Sequence, residues 1–187
     1  MEHIAKYLDE VSQLIANLPQ ADIQAVIKVL LEAYRQGRTV FIMGNGGSAS
    51  TASHFACDLG KGTSQPGRPR FRVISLADNI PLMTAWANDS AYRDIFAEQL
   101  INLVRSGDVV IGISGSGNSR NITKALKRAR EAGAITVGFC GFDGGRLKDL
   151  VDYCIHVKSS CIQQVEDAHL VLQHLICVTL QEELSRL

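Results

Sequence analysis

Two pairs of side chains, one near each end of the chain, have the types and spacing to move protons or hold a cation. His54 and Asp58 stand four residues apart in an apolar-periodic stretch, residues 49–59, so a helix there projects both from one face. Glu166 and His174 stand eight apart in the last segment, 162–187, on a shared side of a second helix. Imidazole and carboxylate are the common general acids and bases of enzymes. As isolated residues they have plainer readings, His54 as a satisfied helix histidine and Asp58 as a solvated last-turn acid. His169 lies about 140° around the helix from His174 and is read as packing or support. His3 and His156 receive no role.

Two loops rich in glycine and serine offer places for an anion. Gly44-Asn45-Gly46-Gly47-Ser48 follows a β-branched run at 39–43. Its glycines permit left-handed backbone and close approach of main-chain N–H groups, with a hydroxyl at a helix N-terminus. Ser114-Gly115-Ser116-Gly117-Asn118-Ser119 follows a second run at 109–113. There the hydroxyls of Ser114, Ser116 and Ser119 and several N–H groups can converge on one phosphate. Either loop alone is as readily an ordinary cap, with Ser48 and Asn118 as the N-cap residues. Two such loops at equivalent points of two strand–helix units favour a phosphate site. Neither contains GxxxxGK[ST] or GxGxxG, which disfavours nucleoside triphosphates and dinucleotides. A phosphate held by hydroxyls and backbone, without an obligatory lysine, suits a phosphosugar.

The elements that position these residues follow from periodicity. Apolar residues from Ile4 to Leu18 and from Ile23 to Leu31 recur at helical spacing, so two amphipathic helices precede the first strand. Strands are expected at 39–43, 71–76, 109–113, 135–139 and 153–157, with helical segments at 49–59, 80–87, 92–104 and 122–133, one short helix after Gly145, and a long helix at 162–187. Five strands alternating with helices give an α/β fold: one domain, residues 1–187, with a parallel sheet covered on both faces and ligands beyond the strands' carboxyl ends. The final helix is apolar around much of its circumference, at Leu170, Val171, Leu172, Leu175, Ile176, Val178 and Leu180. That exceeds what one flank of a monomer needs, and an oligomer burying this helix is expected.

Composition narrows the class. With 187 residues, 46% hydrophobic and 20% charged, the chain is long enough for a real core and excludes disorder. Nineteen basic and nineteen acidic residues leave no net charge, so a nucleic-acid footprint is not expected. Five widely spaced cysteines without CxxC indicate neither a disulfide framework nor a zinc finger, and read as reduced thiols in the cytoplasm. Charged residues at the N-terminus exclude a signal peptide, and no apolar run has the length of a membrane span.

GNGGSxxxAxHF, the segment from Asn88-Asp89 to Ile95-Phe96, ISGSGNSxNI, and a last helix with Glu166, His169 and His174 together resemble the sugar isomerase (SIS) family. Within it they resemble the phosphoheptose isomerases over nearly the whole chain. A paralogue that associates with the replication initiator shares most of these motifs. The resemblance implies a five-stranded parallel sheet flanked by helices in three layers. It also implies a homotetramer with active sites between subunits, residues 1–37 serving oligomer packing.

The implied activity interconverts sedoheptulose 7-phosphate and D-glycero-D-manno-heptose 7-phosphate through an enediol, towards the heptose of surface polysaccharide. It implies Asp58 as base and His174 as acid, with His54, Asp58, Glu166 and His174 matching a zinc site. Asn45, Gly46, Gly47, Ser48, Asn88, Asp89, Ser114, Gly115, Ser116, Ser119 and Glu166 match substrate-binding positions. Three positions depart from the family: Asp58 stands where glutamate is usual, Glu166 where glutamine is usual, and Gly62 where an arginine is usual. Asp58 withdraws its carboxylate by about 1.5 Å. If both carboxylates face one pocket, one is protonated or a divalent cation sits between them. The competing functions are a noncatalytic phosphosugar-binding scaffold or sensor, and an isomerase of another phosphosugar.

Overall fold

Val40 and Ile42 pack into one hydrophobic cluster and Phe41 and Met43 into another, all of them buried. Successive side chains of a strand point to opposite faces, so this short run has to sit inside a sheet covered on both sides. The computed structural model, which describes residues 2–186, shows that arrangement. Strands β1 (Thr39–Met43), β2 (Arg72–Ser75), β3 (Val109–Ser114), β4 (Ile135–Cys140) and β5 (Tyr153–His156) form one sheet in the order β2-β1-β3-β4-β5, every neighbour parallel. The three-layer α/β expectation holds.

Helices α1 (Glu2–Ala16), α2 (Gln20–Arg35), α3 (Gly47–Cys57) and α8 (Ile162–Ser185) cover one face. On the other lie α4 (Ile80–Asp89), α5 (Ala97–Leu103), α6 (Arg120–Glu131) and α7 (Gly145–Leu150). The chain leaves β1 outward to β2 and returns across it to β3. The crevice between β1 and β3 is therefore the topological switch point, where α/β sheets of this kind bind ligands.

Two aspartates fix the amino ends of the strands. Asp108, buried just before β3, accepts the Thr39 N–H at 2.9 Å on Oδ1 and the Arg105 N–H at 2.7 Å on Oδ2. Asp152 before β5 accepts the Thr136 N–H at 2.8 Å, pinning β5 to β4 in the same way. The continuous helix expected at 92–104 is instead a 3₁₀ turn, Tyr92–Asp94, followed by α5. The break has an electrostatic cause: Lys124 donates to the buried Asp94 at 2.6 Å and Ser90 at 2.5 Å. The Lys124 ammonium, then the Ser90 hydroxyl, hold the Asp94 carboxyl below its ordinary value.

Two helices keep uncovered apolar surface. Helix α1 buries none of its residues, and its Ile4 and Leu8 are 64% and 63% exposed. It is tied to α8 by polar bonds, Tyr7 to Asp167 at 2.5 Å and Gln164 to Glu10 at 2.7 Å. On α8, Leu172, Ile176 and Leu180 enter the core while Leu170, Leu175 and Val178 stay exposed.

His169 is buried with Nε2 3.4 Å from the Cys140 carbonyl oxygen, a packing role as its helical angle indicates. Desolvation lowers its pKa from 6.5 to about 4, against a smaller opposing effect of that carbonyl. The unfolded ring takes a proton below pH 6.5 while the folded ring stays neutral to about 4, so stability is lost as pH falls through this window. Urea unfolding at pH 7 and pH 5 is expected to differ by about 2 kcal/mol from this group, and His169→Gln to remove that part of the difference. In the same assay Asp108→Asn, which sets an amide N–H against a main-chain N–H, is expected to cost about 1–3 kcal/mol.

Candidate active site

Helix α3 runs from the β1 turn alongside α8, and the two contribute one cluster. His54 Nε2 lies 3.4 Å from Asp58 Oδ2, His174 Nε2 lies 3.7 Å from the same oxygen, and the two Nε2 atoms are 3.4 Å apart. The rings meet edge to face, centroids 4.9 Å apart at 79°. Asp58 ends α3 and opens a π-helical turn, Asp58–Gly62, closed by the Thr63 N–H on the Asp58 carbonyl at 3.1 Å. Single π turns recur at functional sites because they re-aim the side chain where the helix widens. Cys177, buried beside Asp58, has its thiol pushed up to about 12 by burial and then by that carboxylate, so it is no nucleophile.

The spacing of the three donor atoms fits a metal. Ligands 2.0–2.2 Å from a tetrahedral zinc lie about 3.3–3.6 Å from one another, the range these three nearly occupy. Three protein ligands with a fourth position open is the pattern of catalytic rather than structural zinc. His54, Asp58 and His174 can therefore hold a divalent cation as they stand.

Glu166 does not join them within this chain. A Cβ built on Gly47 would lie 2.6 Å from Glu166 Oε1, so the carboxylate rests on the first turn of α3. Gly47 and Asp58 are separated by about 16 Å of helix rise. The eight-residue spacing on α8 thus aims Glu166 and His174 at opposite ends of α3, and within one chain the two carboxylates do not face one pocket.

The first loop turns on Gly46, whose φ of +55° suits glycine, and no side chain caps α3. Ser48 is buried under the turn against Gly44 and is not the N-cap. An anion at a helix N-terminus is favourable, and here the Glu166 carboxylate takes that place. At the second loop the N-cap of α6 is Ser119, not Asn118. Ser114 Oγ donates to Ser119 Oγ at 3.0 Å, and Ser116 Oγ accepts the Asn118 N–H at 3.2 Å. The first turn of α7 braces this loop: the Leu147 N–H donates to Gly117 O at 2.9 Å and the Arg146 N–H to Asn118 Oδ1 at 3.2 Å. Gly115 is buried and Ser116 exposed. Asn88 and Asp89 end α4 in solvent, Asn88 Nδ2 donating to Asp89 Oδ1 at 2.8 Å, and make no bond to either loop.

Between the two loops lies a cavity of about 460 Å³, within the range of small-molecule sites, lined by Asn45, Tyr92, Arg93, Ser119, Arg120 and Asn121. Asn45 and Ser119 were legible from the sequence. Tyr92, Arg93, Arg120 and Asn121 were not, although Asn121 is the last polar residue of ISGSGNSxNI.

The SIS domain family matches residues 6–141. The chain is 38% identical over 162 residues to the phosphoheptose isomerase of Clostridium acetobutylicum, 87% of this chain and 82% of that protein. It is 40% identical to phosphoheptose isomerase 2 of Campylobacter jejuni, over 83% of this chain and 77% of that one. Among solved structures, phosphoheptose isomerase GmhA from Neisseria gonorrhoeae superposes with a TM-score of 0.90 at 26% identity, covering 97% of this chain and 98% of that one. With its parallel sheet, its paired loops at the switch point and this kinship, the chain belongs to the SIS domain family and groups there with the phosphoheptose isomerases.

Proposed function

We propose that the protein is an aldose–ketose isomerase that interconverts sedoheptulose 7-phosphate and D-glycero-D-manno-heptose 7-phosphate, towards the heptose of surface polysaccharide. The observation that carries this reading is the Asp58 carboxylate set between two imidazoles in a chain akin to phosphoheptose isomerases. Asp58 Oδ2 faces the imidazoles, leaving Oδ1 to take the proton from the carbon beside the carbonyl. His174 delivers a proton to the carbonyl oxygen, which gives the enediol. Asp58 then returns its proton to the neighbouring carbon while His174 takes back a proton from the other hydroxyl. His54, Asp58 and His174 would hold a divalent cation, zinc by donor type, which when bound would supply Lewis-acid polarisation of the carbonyl; with His174 Nε2 then given to the cation, that polarisation would take the place of the proton from His174.

The phosphate is assigned to Ser114, Gly115, Ser116 and Ser119, because Glu166 already lies over the N-terminus of α3. Asn45 and Gly46 face the sugar from the first loop, with Gly47, Ser48 and Glu166 shaping that wall. Asn88 and Asp89, exposed at the end of α4, are assigned as substrate contacts. The side chains of His54, Asp58 and His174 are 46%, 28% and 49% exposed, too open for proton transfer shielded from water. Leu170 and Val178 lie four residues before and after His174 on the same exposed stripe. A second copy covering that stripe would bury the cluster, which supports a homotetramer with active sites between subunits and residues 1–37 in the packing. The chain acts as one domain, residues 1–187. Among the described residues all five cysteines are free and no single helix is long and apolar enough to cross a membrane, which supports a cytoplasmic location.

Proton NMR of the protein with sedoheptulose 7-phosphate in D2O tests the reading. Aldose product with deuterium at the carbon beside the carbonyl is expected, and bound sugar phosphate without product would move the assignment to a noncatalytic sensor or scaffold. Asp58→Asn and His174→Ala are each expected to lower kcat by about 10²- to 10⁴-fold while sugar phosphate still binds. If His174→Ala turns over normally, the acid has been misassigned. Dialysis against a chelator is expected to depress turnover and zinc to restore it; unchanged turnover after verified metal removal would exclude the cation.

A further inference from the structure

Asn45 and Asn121 face each other across the switch-point cavity and form a reciprocal amide pair. Asn45 Nδ2 donates to Asn121 Oδ1 at 3.0 Å, and Asn121 Nδ2 donates to Asn45 Oδ1 at 2.7 Å. Such a pair is symmetric and both amides could be reversed together, unless something outside it fixes one of them. The Ile122 main-chain N–H, a donor by covalent structure, lies 3.0 Å from Asn121 Oδ1 and fixes that atom as oxygen. Asn45 is thereby fixed as well. Its Oδ1 accepts a second bond from Tyr92 OH at 2.9 Å, which uses both lone pairs. One Nδ2–H of Asn45 remains uncommitted, on a side chain that lines the cavity.

We infer that Asn121 and Tyr92 are positioning residues that lock Asn45 as a hydrogen-bond donor toward an oxygen of the bound sugar phosphate. This rests on the isomerase reading above. Asn121 is buried at the start of α6, and Tyr92 sits in a turn held to the same helix by the Asp94–Lys124 ion pair, 2.6 Å long. Both anchors of Asn45 are thus fixed to the element that carries Ser119. The arrangement sets the distance between the β1 turn and the phosphate loop as well as the polarity of Asn45. The locked amide discriminates by chemistry: it serves an oxygen acceptor and offers nothing to a cation or a donor.

Asn121→Asp keeps the bonds from Ile122 and Asn45 but replaces the donor to Asn45 Oδ1 with a second oxygen, which frees Asn45 to turn. Tyr92→Phe removes only the second donor. Steady-state kinetics with sedoheptulose 7-phosphate is expected to show KM raised about 10-fold by Asn121→Asp and about 3-fold by Tyr92→Phe, with kcat within about 3-fold, on the scale of one lost hydrogen bond. The double variant is expected to be no worse than Asn121→Asp alone, because both act through Asn45. Unchanged KM in folded single variants, or effects that simply multiply in the double variant, would overturn the inference. Should the wild type not turn over this sugar phosphate, the isomerase reading fails on its own. The lock is then read from the thermal shift that sedoheptulose 7-phosphate gives wild type and the uncharged variant Tyr92→Phe: a smaller shift in the variant upholds it, and equal shifts refute it.

Discussion

Everything chemical in this molecule depends on the side-by-side packing of α3 and α8. Neither helix holds a site by itself: α3 supplies His54 and Asp58, and α8 supplies His174 and Glu166. The two run in the same direction, so a seven-residue step on α3 from Gly47 to His54 matches the eight-residue step on α8 from Glu166 to His174. Residue 47 is glycine, and a side chain there would collide with the Glu166 carboxylate and turn it off the first turn of α3. A shift of either helix would be carried along it to the three donor atoms, whose separations leave little tolerance. Phe55 and Leu172, buried in the same cluster, supply the apolar contact that holds the pair on the sheet.

The parallel sheet then decides where anions go. Both loops open helices at the carboxyl edge of adjacent strands, and each presents helix N–H groups that no side-chain cap satisfies. The protein treats the two ends differently. Over α3 it places its own Glu166 carboxylate, and over α6 it places serine hydroxyls that can donate to an incoming oxygen. On the proposed reading a dianionic phosphate is repelled from the first and drawn to the second, which would give the substrate one orientation in the crevice. The first turn of α7 braces the second loop, since Leu147 and Arg146 hold its backbone and Asn118 from outside.

Much of this was legible in the sequence because period and composition are local. The β-branched run at Thr39–Met43, helical spacing from Ile23 to Leu31 and glycine turns after strands fix elements without knowledge of partners, and the five-stranded parallel sheet followed from alternation of strand and helix. The misses concern long-range partners. Tyr92–Asp94 reads as helix until Lys124, thirty residues away, is known to hold Asp94. That Glu166 lies on the first turn of α3 was not legible, because spacing along one helix says nothing of what lies across from each residue. Asn118 and Ser48 read as caps from type and place, yet the backbone put Ser119 and Gly46 there. The reciprocal amide of Asn45 and Asn121 joins residues 76 apart in sequence and has no periodic signature.

The departures from the family at Asp58 and Glu166 are coupled through this geometry. An aspartate is one carbon shorter than the usual glutamate, a deficit of about 1.5 Å. Its Oδ2 nevertheless lies 3.4 Å and 3.7 Å from the two imidazoles, because the π turn begins at that residue and α8 brings His174 to meet it. Carboxylate contact with both histidines therefore survives the shortening. At the other end of α3, a carboxylate at 166 in place of an amide adds negative charge to a helix N-terminus that favours it. Within one chain that carboxylate lies about 16 Å of helix rise from Asp58. On the proposed reading the pair of substitutions leaves proton transfer to Asp58 and His174, with Glu166 beside the substrate.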